Sequence, residues 1–254
     1  MGDWRNSDSI DEVDIKEWKV RYIMNKKELA KRYILFIISL FFAALGVAFT
    51  KHGELGVSPV SSAANVMSYK LTSVTIGSKE IPLSMGTWLI IWNCILIVGQ
   101  IVILRKKFQW IQLLQIPLSF LFGWFTDLGL WIVSLIPAEV YPVRLLMVLV
   151  GIVILGFGVS LAVIANVIMN SGEAFVKAVA DTVRKDFGNV KIVFDVSCVC
   201  LSIVLSLVFF DVRTYGIVGT REGTILSAFL TGMVVKFFTK RLSGGLNRLL
   251  TAEE

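Results

Sequence analysis

Six long apolar stretches alternate along this chain with short polar segments. They cover residues 32–50, 86–104, 113–135, 143–165, 190–210 and 225–238. A helix needs about 20 mostly apolar residues to cross the hydrocarbon core of a bilayer. The pattern therefore predicts an all-α membrane protein with about six transmembrane helices, in a single transmembrane domain over residues 32–241.

The same arrangement of spans occurs twice, in residues 33–127 and 145–240. Residues 44–47 align with residues 156–159, and residues 118–123 align with residues 227–232. With three spans in each copy, the second copy enters the bilayer in the opposite direction. We therefore expect two inverted-topology repeats, an arrangement that is typical of transporters.

Each copy has a short helical segment after its first span. Ser58 followed by Pro59 is typical of a helix start, and the first short helix is predicted to end at Tyr69 or Lys70. In the second copy, residues 166–175 precede an equally short predicted helix that ends near residues 187–188. Both are too short to cross a membrane.

Chain breaks at membrane depth need protein or water partners for their backbone groups. Two breaks at matching positions therefore predict two re-entrant helices whose N-termini point into one polar cavity. The alternative is that each short helix lies along the membrane surface. Lys51, His52 and Glu54 favour that alternative in the first copy, because they resist burial.

Polar and ionisable residues inside predicted spans are candidates for a transport site, because lipid makes them costly. Asp195 lies about one turn into the fifth span. Its alternative role is an ion pair with Lys191 at the membrane interface. Arg221 and Glu222 open the sixth span, or form an external anchoring pair. The candidate cavity residues are Glu173, Asp195, Asn93, Ser58, Asn166, Asn170, Ser171, Gln115, Arg221 and Glu222.

Composition and charge agree with a lipid environment. Hydrophobic residues make up 56% of the 254 residues and charged residues 17%. Lys and Arg cluster in alternate loops, which predicts that both termini, residues 1–31 and 242–254, are cytoplasmic tails. The net charge of +6 is expected to face anionic lipid headgroups and not nucleic acid.

Patterns that indicate catalysis are missing from the sequence. We find no Gly-rich phosphate loop and no metal-ligand spacing, and His52 is the single histidine. We therefore expect no enzyme activity, no cofactor and no metal site. Cys94, Cys198 and Cys200 are expected to be buried small residues, and His52 to be solvated.

Seven short segments of the chain resemble bacterial YitT/YczE-like integral membrane proteins, an uncharacterised family. They are residues 44–47, 55–59, 113–117, 165–167, 172–178, 194–195 and 218–224. The resemblance runs from about residue 32 to about residue 241. It implies a bacterial plasma-membrane protein that acts as a carrier, and it assigns no catalytic residues.

Three functions fit these features. The first is a secondary transporter of a small polar or cationic solute. The alternatives are a small channel with two opposed half-helices and a membrane-embedded substrate-binding subunit of an ATP-driven importer. The expected partners are membrane lipid and a small molecule or ion, and a homo-oligomer is compatible with the sequence.

Overall fold

The computed structural model describes residues 26–76, 79–211 and 216–251. These residues form eight α-helices and one hairpin: α1 (Lys26–His52), α2 (Pro59–Lys70), β1 (Ser73–Ile76), β2 (Lys79–Pro82), α3 (Met85–Leu104), α4 (Gln115–Val133), α5 (Tyr141–Ala165), α6 (Ser171–Val183), α7 (Phe187–Phe209) and α8 (Glu222–Thr251). The strands are antiparallel, with Val74 opposite Ile81. Residues 1–25 and 252–254 of the predicted tails lie outside the described residues.

Five helices in the described part of the chain are long and apolar enough to cross a membrane. They are α1, α3, α5, α7, and α4 together with the 3₁₀ turn before it. The predicted sixth span lies in α8 and is not among the five. Its apolar stretch is interrupted by Thr231, Gly232 and Lys236.

Large apolar side chains cover the outside of these helices, and the buried residues include many small polar ones beside an apolar core. In α7 the buried residues are Cys198, Ser202 and Ser206, whereas Val193 and Val208 are 66% and 70% exposed. A water-soluble protein has the opposite distribution. Lipid therefore surrounds a multi-pass helical protein, which confirms the predicted membrane class.

Small residues allow α1 and α5 to cross closely. A Cβ atom on Gly46 would overlap the backbone of Leu155, and one on Gly158 would overlap the backbone of Ala43. Small residues at helix crossings are typical of membrane proteins, in which close van der Waals packing holds helices together. At one end of the crossing, Arg32 Nη1 donates to Ala165 O at 3.2 Å, which satisfies a terminal carbonyl of α5.

The two short helices take corresponding places. Each follows the long helix that opens its half of the chain, and each packs against a long helix of the other half: α2 against α7, and α6 against α3. The predicted end of α2 at Lys70 is confirmed. The predicted end of α6 near residue 187 is wrong, because Arg184 adopts a left-handed conformation after Val183 and ends the helix.

The cysteine and histidine predictions agree with the structure only in part. Cys198 is buried, Cys94 is half-buried, and Cys200 is exposed on the outer surface of α7. Burial was therefore wrong for Cys200, since its position on the helix turns it toward lipid. His52 is half-buried, and its Nε2 atom lies 2.9 Å from Ile136 O.

Candidate functional site

The helices enclose a cavity of about 620 Å³ to which all eight contribute residues. Its wall is apolar along α1 and α5, where Leu40 and Leu155 face it. The polar wall carries polar and charged residues of α2, α3, α6 and α7, and α4 contributes both Phe122 and Gln115. A cavity with one apolar wall and a few polar groups is the usual form of a small-molecule site.

The first turns of α2 and α6 meet beside this cavity. A Cβ atom on Gly172, the second residue of α6, would lie 3.1 Å from Cγ1 of Val60, the second residue of α2. The residues before the two helices, Ser58 and Asn170, have the same backbone angles, φ −57° and ψ 149°. Neither side chain caps its helix. First-turn amides have no acceptor within a helix, so both starts retain hydrogen-bonding capacity near the cavity.

Hydrogen bonds attach the start of α6 to α3. Ser171 Oγ donates to Asn93 Oδ1 at 2.7 Å, and Ser171 O accepts from Gln100 Nε2 at 3.1 Å. Gln100 also forms a reciprocal amide pair with Gln115 of α4, at 3.1 and 3.2 Å. Asn93 lies near the middle of the 20-residue α3, so α6 begins at about mid-length of a candidate span.

The start of α2 has a similar relation to α7. Ser62 Oγ lies 3.3 Å from Cys198 O, near the middle of the 23-residue α7. Ser58 Oγ donates to Ser61 Oγ at 3.0 Å, and both serines line the cavity. The two chain breaks therefore bring two helix starts to the same level of the bundle.

Three charged side chains line the polar wall of the cavity. Lys191 and Asp195, one turn apart on α7, form an ion pair at 2.5 Å. This pairing is the alternative role that we predicted for Asp195, and both residues nevertheless face the cavity. Glu173 also lines the cavity, and within the described part of the chain its carboxylate has no hydrogen bond or ion pair. It is therefore free to receive a ligand.

The structure brings seven of the ten predicted site residues together around the cavity. They are Ser58, Asn93, Gln115, Asn170, Ser171, Glu173 and Asp195. Asn166, Arg221 and Glu222 are not among the lining residues. Asn166 is exposed and ends α5 with a left-handed φ of 48°. Arg221 and Glu222 form an exposed ion pair at 3.5 Å, as the anchoring alternative predicts.

Sequence reasoning missed several residues that line the cavity. Ser61 and Ser119 were detectable, because they lie three residues after Ser58 and four after Gln115, on the same helix faces. Trp92, the residue before Asn93, also lines the cavity and was not predicted. Among the described residues, no cluster of His, Cys, Asp and Glu could hold a metal ion.

Comparison with protein families gives one match. The model of a family of unknown function, DUF6198, matches residues 30–240, which is most of the chain. The chain belongs to this family. No curated protein and no solved structure matches the chain.

Proposed function

We propose that this member of the DUF6198 family is a secondary transporter that moves a small polar or cationic solute through the cavity. The observation that carries the proposal is the meeting of two helix starts beside a cavity midway along the bundle. Broken helices at the centre of a bilayer are a common way to bind solutes in transporters. The resemblance to YitT/YczE-like proteins supports a carrier in the plasma membrane.

Corresponding positions support an inverted repeat as part of this proposal. Glu54 and Asn166 both have left-handed backbones, with φ of 57° and 48°, and each lies four residues before the residue that precedes a short helix. The α1–α5 crossing is also reciprocal: Gly46 packs on Leu155, and Gly158 packs on Ala43. In each comparison the two equivalent positions are 112 residues apart. A two-fold relation produces such reciprocal contacts.

The exposed face of α8 supports a sixth span. Ile225, Phe229, Met233 and Phe237 follow at intervals of four residues and are 60% to 73% exposed. This spacing places them on one helix face. A row of large exposed apolar side chains is stable in lipid and costly in water. The buried Thr224 and Ser227 face the protein instead.

The carboxylates on the polar wall favour a solute with a positive group. The charges of Lys191 and Asp195 balance each other, and Glu173 adds one negative charge when it is ionised. An ammonium group of the solute can pair with the Glu173 carboxylate, while Asn93 and the serine hydroxyls bind polar groups. The apolar wall accommodates the rest of the solute.

Ligand binding is the first test. The purified protein is heated in the presence of single members of a panel of small amines, amino acids and neutral analogues. A solute that binds the folded state raises the apparent melting temperature with increasing concentration. We expect amines to give this shift and their neutral analogues not to give it.

Movement of the solute is the second test, measured with proteoliposomes. We expect saturable uptake of the solute identified by binding, driven by an ion gradient. Ionic current without coupling to a gradient would instead indicate a channel. Co-purification with an ATPase would indicate an importer subunit. Either result, or protein-containing vesicles that do not exceed empty ones, contradicts the secondary transporter.

A further inference from the structure

The chain breaks before α2 and α6 differ in exposure although they occupy corresponding places. In the first break, Leu55 and Val57 are 1% and 0% exposed. In the second break, Val167 corresponds to Leu55 and is also buried, at 8%, but Met169 corresponds to Val57 and is 44% exposed. The two breaks therefore differ two residues before their short helices, where the first is packed and the second is open.

Residues 219–224, which are the segment before α8 and its first residues, cover the first break. The Gly223 N–H donates to Leu55 O at 2.7 Å. A Cβ atom on Gly56 would overlap Thr224 Oγ1, so the approach leaves no room for a side chain there. Gly56 also has a φ of 111°, which favours glycine. We call residues 53–57 and 219–224 together the gate.

A chain of hydrogen bonds connects the gate to α1 and α2. Lys51 Nζ donates to Asn65 Oδ1 at 2.7 Å, and Asn65 Nδ2 donates to Gly219 O at 2.7 Å. Lys51 Nζ also lies 3.3 Å from the centre of the Tyr69 ring. Asn65 is 2% exposed, so no water replaces its bonds if the side chain is shortened. Asn65 therefore holds the gate to the body of the protein.

The cavity reaches from mid-bundle to the end opposite the gate. On α4 (residues 115–122), α7 (residues 187–195) and α5 (residues 155–163), its lining residues lie toward the end of the bundle where α4 and α7 begin. On α3 (residues 89–93) and α8 (residues 227–235), the lining residues lie in the half nearer the gate. Met169 and Phe187 line the cavity at the end where α4 and α7 begin and are 44% and 41% exposed.

We propose that this structure is open to solute at the end where α4 and α7 begin, and that the gate closes the opposite end. The inference rests on the proposed function, because it assigns the route to the same cavity. In an inverted repeat, the second break and residues 110–115 correspond to the two parts of the gate. They form the opposite gate in the alternate state, and here Trp110 is 83% exposed.

The test measures the reactivity of single cysteines from each side of the membrane. Cys94, Cys198 and Cys200 are first replaced by Ala, and Val57→Cys, Ser58→Cys and Met169→Cys are introduced one at a time. Oriented vesicles are treated with a membrane-impermeant methanethiosulfonate reagent. Lys185→Cys, an exposed position beyond α6, marks the side on which α7 begins.

We expect Met169→Cys and Ser58→Cys to react at least tenfold faster from the Lys185 side, and Val57→Cys to react from neither side. Asn65→Ala is expected to make Ser58→Cys reactive from the gate side as well. Ser160→Ala is the matched control, because this buried serine donates only within its own helix, to Phe157 O. We expect Ser160→Ala to leave unchanged the ratio of the Ser58→Cys reaction rates from the two sides.

Equal reactivity of Ser58→Cys from both sides, or faster reactivity from the gate side, would overturn the inference. Rapid reaction of Val57→Cys from either side would overturn it as well, and that measurement does not require the Asn65→Ala substitution. Labelling requires no solute, so its outcome is separate from binding and uptake. A solute that binds and is taken up while the labelling ratio is equal refutes the gate alone.

Discussion

At the residue scale, the hydrogen bond from Ser171 to Asn93 holds two cavity-lining helices together. It joins the start of α6 to the middle of α3 at 2.7 Å. We expect Ser171→Ala to leave the Asn93 amide oxygen without this partner and to destabilise the protein by about 1 kcal/mol. The melting temperature of the purified protein in detergent measures the effect.

Ser197→Ala is the control for that substitution. Ser197 is exposed on α7 and donates only to Val193 O in its own helix. We expect its removal to leave the melting temperature unchanged. If Ser171→Ala and Ser197→Ala melt at the same temperature as the parent, the hydrogen bond to Asn93 does not hold α6 in place.

Some site residues could be predicted because their signals are local. Ser58 before Pro59 marks a helix start, and Glu173 and Asn93 are conspicuous as polar residues among apolar ones. The pairing of Ser171 with Asn93 could not be predicted, because the two residues are 78 positions apart and nothing in either segment specifies the other. The same holds for Gln100 and Gln115, which meet only when α3 packs against α4.

At the element scale, the apolar runs predicted the long helices well, because hydrophobic length is a direct consequence of the bilayer. The end of α6 was mispredicted because Arg184 supplies the left-handed turn that Gly usually provides. A better signal was present in Asp186, whose side chain accepts from the Gly188 and Asn189 amides and starts α7. The β1–β2 hairpin was not predicted.

The number of spans predicts the membrane face on which each loop and the C-terminal end lie. If α8 crosses the membrane, cysteines at Lys107, Lys185 and Thr251 should react with an impermeant reagent from one face, and cysteines at Thr75 and Glu139 from the other. The charge pattern predicts that the first face is cytoplasmic. All five positions are exposed, which makes reaction rates comparable.

Thr251 decides between five and six spans. Reaction of a cysteine at Thr251 together with Thr75 and Glu139 would mean that α8 does not cross. Reaction of cysteines at Lys107 and Lys185 from opposite faces would remove the inverted repeat itself. Lys107 follows the second span of the first half and Lys185 precedes the second span of the second half, so inversion places both on the same face.

At the scale of the whole molecule, the exposed apolar surface and the polar groups buried between the helices describe a membrane-embedded protein with an internal cavity. The mean hydropathy of +0.75 is sufficient to predict the lipid environment. The cavity itself depends on contributions from all eight helices, so no segment contains it. Its gate depends on backbone contacts such as that of Gly223 with Leu55, which sequence patterns do not report.

Asp195 and Glu173 differ in what their neutralisation should do to the whole molecule. Asp195→Asn leaves Lys191 without its ion-pair partner, so we expect a lower folded yield as well as lost uptake. Glu173→Gln removes a charge that has no such partner in the described part of the chain. It is therefore the cleaner test of solute recognition. Glu139→Gln is its control, because Glu139 is an exposed carboxylate outside both the cavity and the gate.

Uptake by proteoliposomes containing the parent protein, Glu173→Gln or Glu139→Gln tests the central claim most directly. The solute is the amine that raises the melting temperature of the parent, and the amounts of inserted protein are matched. We expect gradient-driven uptake with the parent and with Glu139→Gln, and a loss of at least tenfold with Glu173→Gln. Uptake by Glu173→Gln at the parent rate would contradict the claim that the cavity between the two helix starts is the transport site.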